Sequence, residues 1–150
     1  MIRLAPLLAA ERIVDLKGKD KTSVLEEMAA VLSTSDRITD AQALHEAILE
    51  REQVMSTGVG EGIAIPHAKI KAVRKPVLAL GRSVRGIPFE APDQVKVQLV
   101  VMIAAPEKET GTYLQILSRV ISLLIDDPIK QAILNARDGR AILDLIASHD

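Results

Sequence analysis

Residues 95–124 read VKVQLVVMIAAPEKETGTYLQILSRVISLL, and the hydrophobic period changes partway along them. The run begins by alternating at Val95, Val97 and Leu99 and is then wholly apolar to Ile103, a pattern that fits a strand buried on both faces. Further on, Leu114, Leu117, Ile121 and Leu124 recur at the 3.6-residue period of an amphipathic helix, with Thr112 and Gln115 as a candidate cap pair. A doubly buried strand followed by an amphipathic helix points to a layered α/β fold.

The flanking sequence extends the same pattern. Residues 76–84 contain the apolar run Val77, Leu78, Ala79, Leu80, a second buried strand, and shorter candidate strands lie at residues 13–16 and 63–65. Between them Val24, Met28, Val31 and Leu32 take helical spacing, with Ser23 and Glu26 placed for a capping box and Asp20 as a competing cap. A second helix opens at a Thr39–Gln42 box, carries Leu44, Ile48 and Leu49 on one face and ends near Gln53. Beyond residue 124, Asp127 before Pro128 reads as an N-cap with proline at the first helical position, and Asp138 as the cap of a last helix with Ile142, Leu145 and Ile146. Helices on either side of a group of short strands, with no repeat and no Gly/Ser linker, predict a single α/β domain over residues 1–150 with a mixed sheet in its middle.

Composition narrows what such a domain does. The 150 residues are 48% hydrophobic, enough for a substantial core, and their formal net charge is −1, so no overall basic field attracts nucleic acid. Phe89 and Tyr113 are the two aromatic residues, too few for base stacking or carbohydrate platforms. The absence of cysteine removes thiolate nucleophiles, thiolate metal sites and disulfides, which suits a reducing compartment. No apolar stretch approaches the ~20 residues needed to cross a bilayer, and Arg3 and Pro6 break the first ten residues, so a cytoplasmic protein without membrane insertion is expected.

Three histidines are candidates for chemistry. His149 is penultimate and His45 sits in a charged helix, both places for solvated side chains. His67 follows Pro66 at the end of a short strand, downstream of a loop with alternating glycines, Gly58, Gly60 and Gly62. Strand ends present chemistry, glycines let backbone N–H groups approach an anion, and imidazole supplies a neutral nitrogen nucleophile near pH 7. Spacing alone leaves each of these open: a lone histidine beside a strand is commonly structural, and the glycines equally well form turns. Arg51 reads at this level as a solvated charge at a helix end. No second histidine near His67 offers a metal pair, and no GxSxG elbow marks a serine hydrolase.

The segment Arg51-Glu52 followed by STGVGEGIAIPHAK at residues 56–69 resembles the signature of the IIA components of the bacterial phosphoenolpyruvate-dependent phosphotransferase system, in the mannitol/fructose class that includes the nitrogen-regulatory IIA proteins. The resemblance extends over nearly the whole chain, through Ala104-Ala105-Pro106-Glu107 and the helix at Leu114 and Leu117. It implies a mixed parallel and antiparallel sheet flanked by helices on both sides. It also implies that His67 accepts a phosphoryl group from the phosphohistidine of the carrier protein HPr or its nitrogen-branch relative. The group then passes to a IIB protein or serves as a regulatory state. In that role Arg51 would offer a planar fork to the phosphoryl oxygens. Ser56, Thr57 and the neighbouring Gly58 N–H would donate shorter contacts, and Glu61 would orient the imidazole or meet a basic partner surface. No metal or other cofactor is implied, because donor and acceptor are both histidines.

One departure stands out. Members of the family carry a second histidine in a Thr-His-Leu or Glu-His-Leu context, whereas this chain reads Thr112-Tyr113-Leu114. A phenol donates one hydrogen bond to a phosphoryl oxygen but carries no positive charge at neutral pH. Two readings follow: a phosphoryl carrier acting through His67, and a regulatory protein-binding module with weak or absent transfer. A length of 150 residues leaves no room for a fused IIB or membrane IIC domain, so a free-standing IIA is expected, with its sugar or regulated target unnamed.

Overall fold

The apolar run at residues 95–104 forms the spine of a sheet. In the computed structural model, which describes residues 2–150, the strands are β1 (Ile13–Asp15), β2 (Gly58–Gly60), β3 (Ile63–Ala64), β4 (His67–Ile70), β5 (Val77–Ile87) and β6 (Val97–Pro106). The α-helices are α1 (Lys21–Leu32), α2 (Ala41–Val54), α3 (Thr110–Leu124), α4 (Asp127–Asn135) and α5 (Gly139–Ser148), preceded by 3₁₀ turns at Ala5–Leu7 and Ala10–Arg12. Strand order runs β1, β5, β6, β3, β2, with β4 also on β6. β5 is antiparallel to β6, β1 is parallel to β5, and β3 and β4 are parallel to β6.

Side chains of β6 alternate between two cores. Leu99, Val101, Ile103 and Ala105 join Leu78 and Leu80 of β5 under α3, α4 and α5. Val100, Met102 and Ala104 join Val77 and Ala79 under α1 and α2. This is why both strands read as continuous apolar runs: each successive residue is buried, on opposite faces. The expected mixed sheet with helices on both sides is therefore the fold of the chain.

Several local expectations change. β3 and β4 keep one register against β6, from Ile63 opposite Leu99 to Ile70 opposite Pro106, so they form one extended line interrupted at Pro66. Proline has no N–H for the ladder, but its carbonyl still accepts from Ile103 N at 2.9 Å. His67 thus lies within that line, not at a strand end, and the presumed loop at residues 56–62 contains β2, antiparallel to β3.

Helix α3 buries Tyr113, Ile116, Val120, Leu123 and Leu124, while Leu114 is 53% exposed. Two adjacent rows of this helix are apolar, so periodicity could not choose between them; contact with the sheet does. Glu109 occupies the N-cap position of α3 without a side-chain bond, in place of the Thr112–Gln115 pair.

Caps elsewhere also shift by a residue or more. Asp20 caps α1 reciprocally with Ser23, Asp40 caps α2 through Ala43 N, and Asp126 caps α4 through Ile129 N. Asp138 caps α5 as expected. Thr39, the expected cap of α2, spends its hydroxyl on Ala72 O at 3.1 Å.

Candidate functional site

Because His67 begins β4 in step with Ile63 and Ile65, its side chain faces the α3 layer. There its ring meets that of Tyr113, in the first turns of α3, with centroids 5.2 Å apart and planes tilted by 42°. Its Nδ1 lies 3.0 Å from the carbonyl oxygen of Ile65. A carbonyl only accepts, so Nδ1 carries the proton and Nε2 holds the free lone pair. Burial chiefly holds the imidazole below its ordinary pKa. The Ile65 carbonyl opposes that shift, the Arg51 charge adds to it, Glu52 opposes it and Lys69 adds to it. At neutral pH the ring is an uncharged nucleophile among cations.

Those cations arrive from two elements. Arg51, in the last turn of α2, lines with Val54, His67 and Lys69 a cleft of about 460 Å³. One guanidinium N–H caps the helix end by donating to Met55 O at 2.9 Å. Lys69 stands two residues along β4 on the same face as His67, 5.2 Å from the centroid of the Tyr113 ring and 3.3 Å from Thr110 Oγ1. Tyr113 itself is buried, which raises its phenol pKa against the opposing Arg51 charge, so it stays neutral. Sequence reading missed Lys69 because it ended the strand before His67; extending the period-2 pattern across Pro66 would have found it.

The other expected site residues have different work. Ser56 donates its hydroxyl to Phe89 O at 2.6 Å and accepts from Gly58 N at 3.2 Å. Thr57 is buried, and both its N–H and its hydroxyl donate to the Glu52 carboxylate. Gly58 is needed for closeness, since a Cβ there would sit 3.0 Å from that of Ala91. These groups shape the loop with bonds already committed within the protein.

Glu61 is the middle of a left-handed turn, Gly60-Glu61-Gly62, with φ of 96°, 57° and 78°. Its N–H donates to Asp93 and its carbonyl accepts from Lys130. Ile63 and His67 pair with Leu99 and Ile103, four residues or about 13 Å apart along β6, and the Glu61 turn lies beyond Ile63. It does not orient the imidazole, because the strand runs away from the turn. Glu52, read in the sequence only as the partner of Arg51 in the signature, is buried and bonded to Lys21 Nζ at 2.7 Å. It continues the Leu44 and Ile48 row at the next i+4 position, so its burial follows the helical period, but a carboxylate there does not read as core.

A mixed six-stranded sheet between two helical layers is the fold of the IIA-type domains. The nitrogen-regulatory protein IIA-Ntr of Neisseria meningitidis superposes with a TM-score of 0.86 at 26% identity, covering 95% of this chain and 97% of that one. Residues 7–149 match the family described as phosphoenolpyruvate-dependent sugar phosphotransferase system, EIIA 2, and the chain belongs to that family.

Among its relatives, a fructose-specific EIIABC component of Bacillus subtilis is 43% identical over 150 residues, covering 99% of this chain. The chain spans 24% of that relative's length. A nitrogen regulatory protein of Pseudomonas aeruginosa is 30% identical, covering 97% of this chain and 96% of that protein. No helix among the described residues is long and apolar enough to cross a membrane.

Proposed function

We propose that this chain is a phosphoryl carrier whose acceptor is Nε2 of His67. The bond from phosphorus to the donor histidine of an HPr-type carrier breaks as the bond to Nε2 forms. The proton stays on Nδ1, donated in a hydrogen bond to the Ile65 carbonyl, so none leaves the ring. A loose transition state asks for alignment and for charge on the equatorial oxygens. Arg51 supplies a fork and Lys69 a point charge there, while Tyr113 donates one neutral hydrogen bond. Ser56, Thr57 and Gly58 set the loop that holds this arrangement and act on phosphate through it. The phosphoryl group then moves to a IIB partner or is kept as a regulatory state, with residues 1–150 acting as one IIA unit.

The observation that carries this reading is the 3.0 Å contact of Nδ1 with the Ile65 carbonyl oxygen, which leaves the other nitrogen for chemistry beside two cations. Incubation with phosphoenolpyruvate, enzyme I and HPr, followed by intact mass measurement, should add one phosphoryl group, acid-labile and base-stable. His67→Ala should abolish the addition, while His45→Ala and His149→Ala should leave it. Undiminished labelling of His67→Ala sinks the assignment. The uncharged Tyr113 in place of the second histidine favours the regulatory reading, and a wild-type chain that gains no phosphoryl group under these conditions is a binding module.

A further inference from the structure

Lys21 and Glu52 both sit at the wrong ends of their helices. Lys21 is the first residue of α1, where the helix dipole favours anions, and Glu52 lies in the last turn of α2, where it favours cations. Neither placement helps its own helix. Each is offset by the other: Lys21 Nζ lies 2.7 Å from Glu52 Oε2, with side chains 18% and 6% exposed. The same Oε2 accepts from Thr57 N at 2.8 Å, and Oε1 accepts from the Thr57 hydroxyl. All the donors facing this carboxylate are thereby matched.

The line continues to the acceptor. Thr57 O accepts from Ile65 N at 2.9 Å, and Ile65 O accepts from His67 Nδ1 at 3.0 Å. An ion pair joining two helices, with its carboxylate buried, is thus connected through Thr57 and the main-chain bond from Ile65 N to Thr57 O to the carbonyl that holds the imidazole.

We infer that Glu52, clamped by Lys21, is a positioning residue that holds His67 in its Nδ1–H tautomer. It does so by fixing Thr57, and through Thr57 the peptide of Ile65. With Glu52 anchored, the adjacent Arg51 is also fixed in rotation about α2. A glutamine can meet Thr57, with its oxygen on Thr57 N and its amide on the hydroxyl, but it carries no charge to bind Lys21, so the clamp is lost. The charged and titratable groups facing His67 are Arg51 and Glu52 from α2, Lys69 from its own strand and Tyr113 from α3. The consequence for transfer rests on the carrier reading above, whereas the tautomer is a property of the free protein.

Imidazole ¹⁵N and ¹H shifts across pH, measured on wild type, Glu52→Gln, Lys21→Met and the α4 core truncation Ile133→Val, test this. Wild type should show one Nδ1–H tautomer. Glu52→Gln should admit the Nε2–H form and lower the His67 titration midpoint further, because a negative charge is lost and the Ile65 bond weakens. Phosphoryl acceptance should slow by about 10- to 100-fold, the loss expected of a misplaced reacting atom. Ile133→Val should retain the wild-type tautomer and midpoint.

Simple loosening of the loop would admit water and move the midpoint up, toward the ordinary histidine value. A Glu52→Gln protein with an unchanged tautomer, or with a raised midpoint, overturns the inference. Should Glu52→Gln fail to fold, Lys21→Met decides: a mixed tautomer supports the clamp and a single one defeats it. If wild type accepts no phosphoryl group, the carrier reading fails while the tautomer result still stands.

Discussion

At His67 the decisive quantity is charge. The imidazole binds its proton more weakly in the fold than in the unfolded chain, first because it is half-buried, with Arg51 and Lys69 reinforcing the effect. Its contribution to stability is therefore full above about pH 6.5, the unfolded value, and is lost as pH falls through 6.5 toward the lower folded value. An NMR titration should place the His67 midpoint below 6.5, and Lys69→Met should move it up. A midpoint at or above 6.5 in wild type would remove the neutral-nucleophile argument. Tyr113 acts beside it through one phenol. Tyr113→Phe keeps the ring against His67 and removes the hydrogen bond proposed to the phosphoryl group, so phosphohistidine stability or transfer should fall by about 0.5–1.5 kcal/mol, as for one neutral bond. Tyr113→His should introduce a pH dependence between roughly 6 and 7 in the transfer rate. Stopped-flow transfer from phospho-HPr across that range separates the three proteins, and identical profiles would show that position 113 does not touch the reacting group.

At the level of elements, sequence and structure agree where burial is complete and part where it is shared. The runs Val77–Leu80 of β5 and Leu99–Ala105 of β6 are legible because both faces are covered there; where β5 becomes exposed, at residues 83–86, polar residues enter it. The site signature was legible as a whole from residues 51 to 69. The inner assignments within it were not: Ser56 and Thr57 look like free hydroxyls in sequence, yet their partners, Phe89 O and Glu52, are set by tertiary contact. Likewise the sequence places the N-cap of α4 at Asp127, before Pro128, whereas the backbone puts it one residue earlier. The structure places Asp126 in extended conformation with its carboxylate on Ile129 N at 3.2 Å. Asp126→Ala should therefore cost about 1 kcal/mol of stability, the usual worth of an N-cap. Asp127→Ala, which removes only a first-turn charge 3.8 Å from Lys130, should cost less, about 0.3–1 kcal/mol at most. Urea unfolding of the two variants checks the order, and a larger loss at Asp127 would return the cap to the position expected from sequence.

Over the whole molecule a net charge of −1 provides no long-range attraction for a partner, so recognition has to be local. Around the His67 cleft the surface is apolar in an unusual way: Val54, at the end of α2 and on the cleft wall, is 80% exposed, and the neighbouring Met55 is 69% exposed. Neither side chain covers the core, and both stand next to the guanidinium expected to meet phosphate. A carrier protein delivering a phosphoryl group to Nε2 must bring its own histidine into this cleft, which places Val54 and Met55 under its footprint. On that geometry Val54→Asp leaves the fold intact, because the side chain is already in water, but sets a charge where the partner would desolvate it. Docking should weaken by about 1–2 kcal/mol, roughly a tenfold rise in KM for phospho-HPr. Phosphorylation of the same variant by a small donor such as phosphoramidate, which needs no protein footprint, should proceed at the wild-type rate. Equal KM values for wild type and Val54→Asp would place the partner's footprint elsewhere on the molecule, whereas a parallel loss with the small donor would mean that Val54 shapes the acceptor site itself.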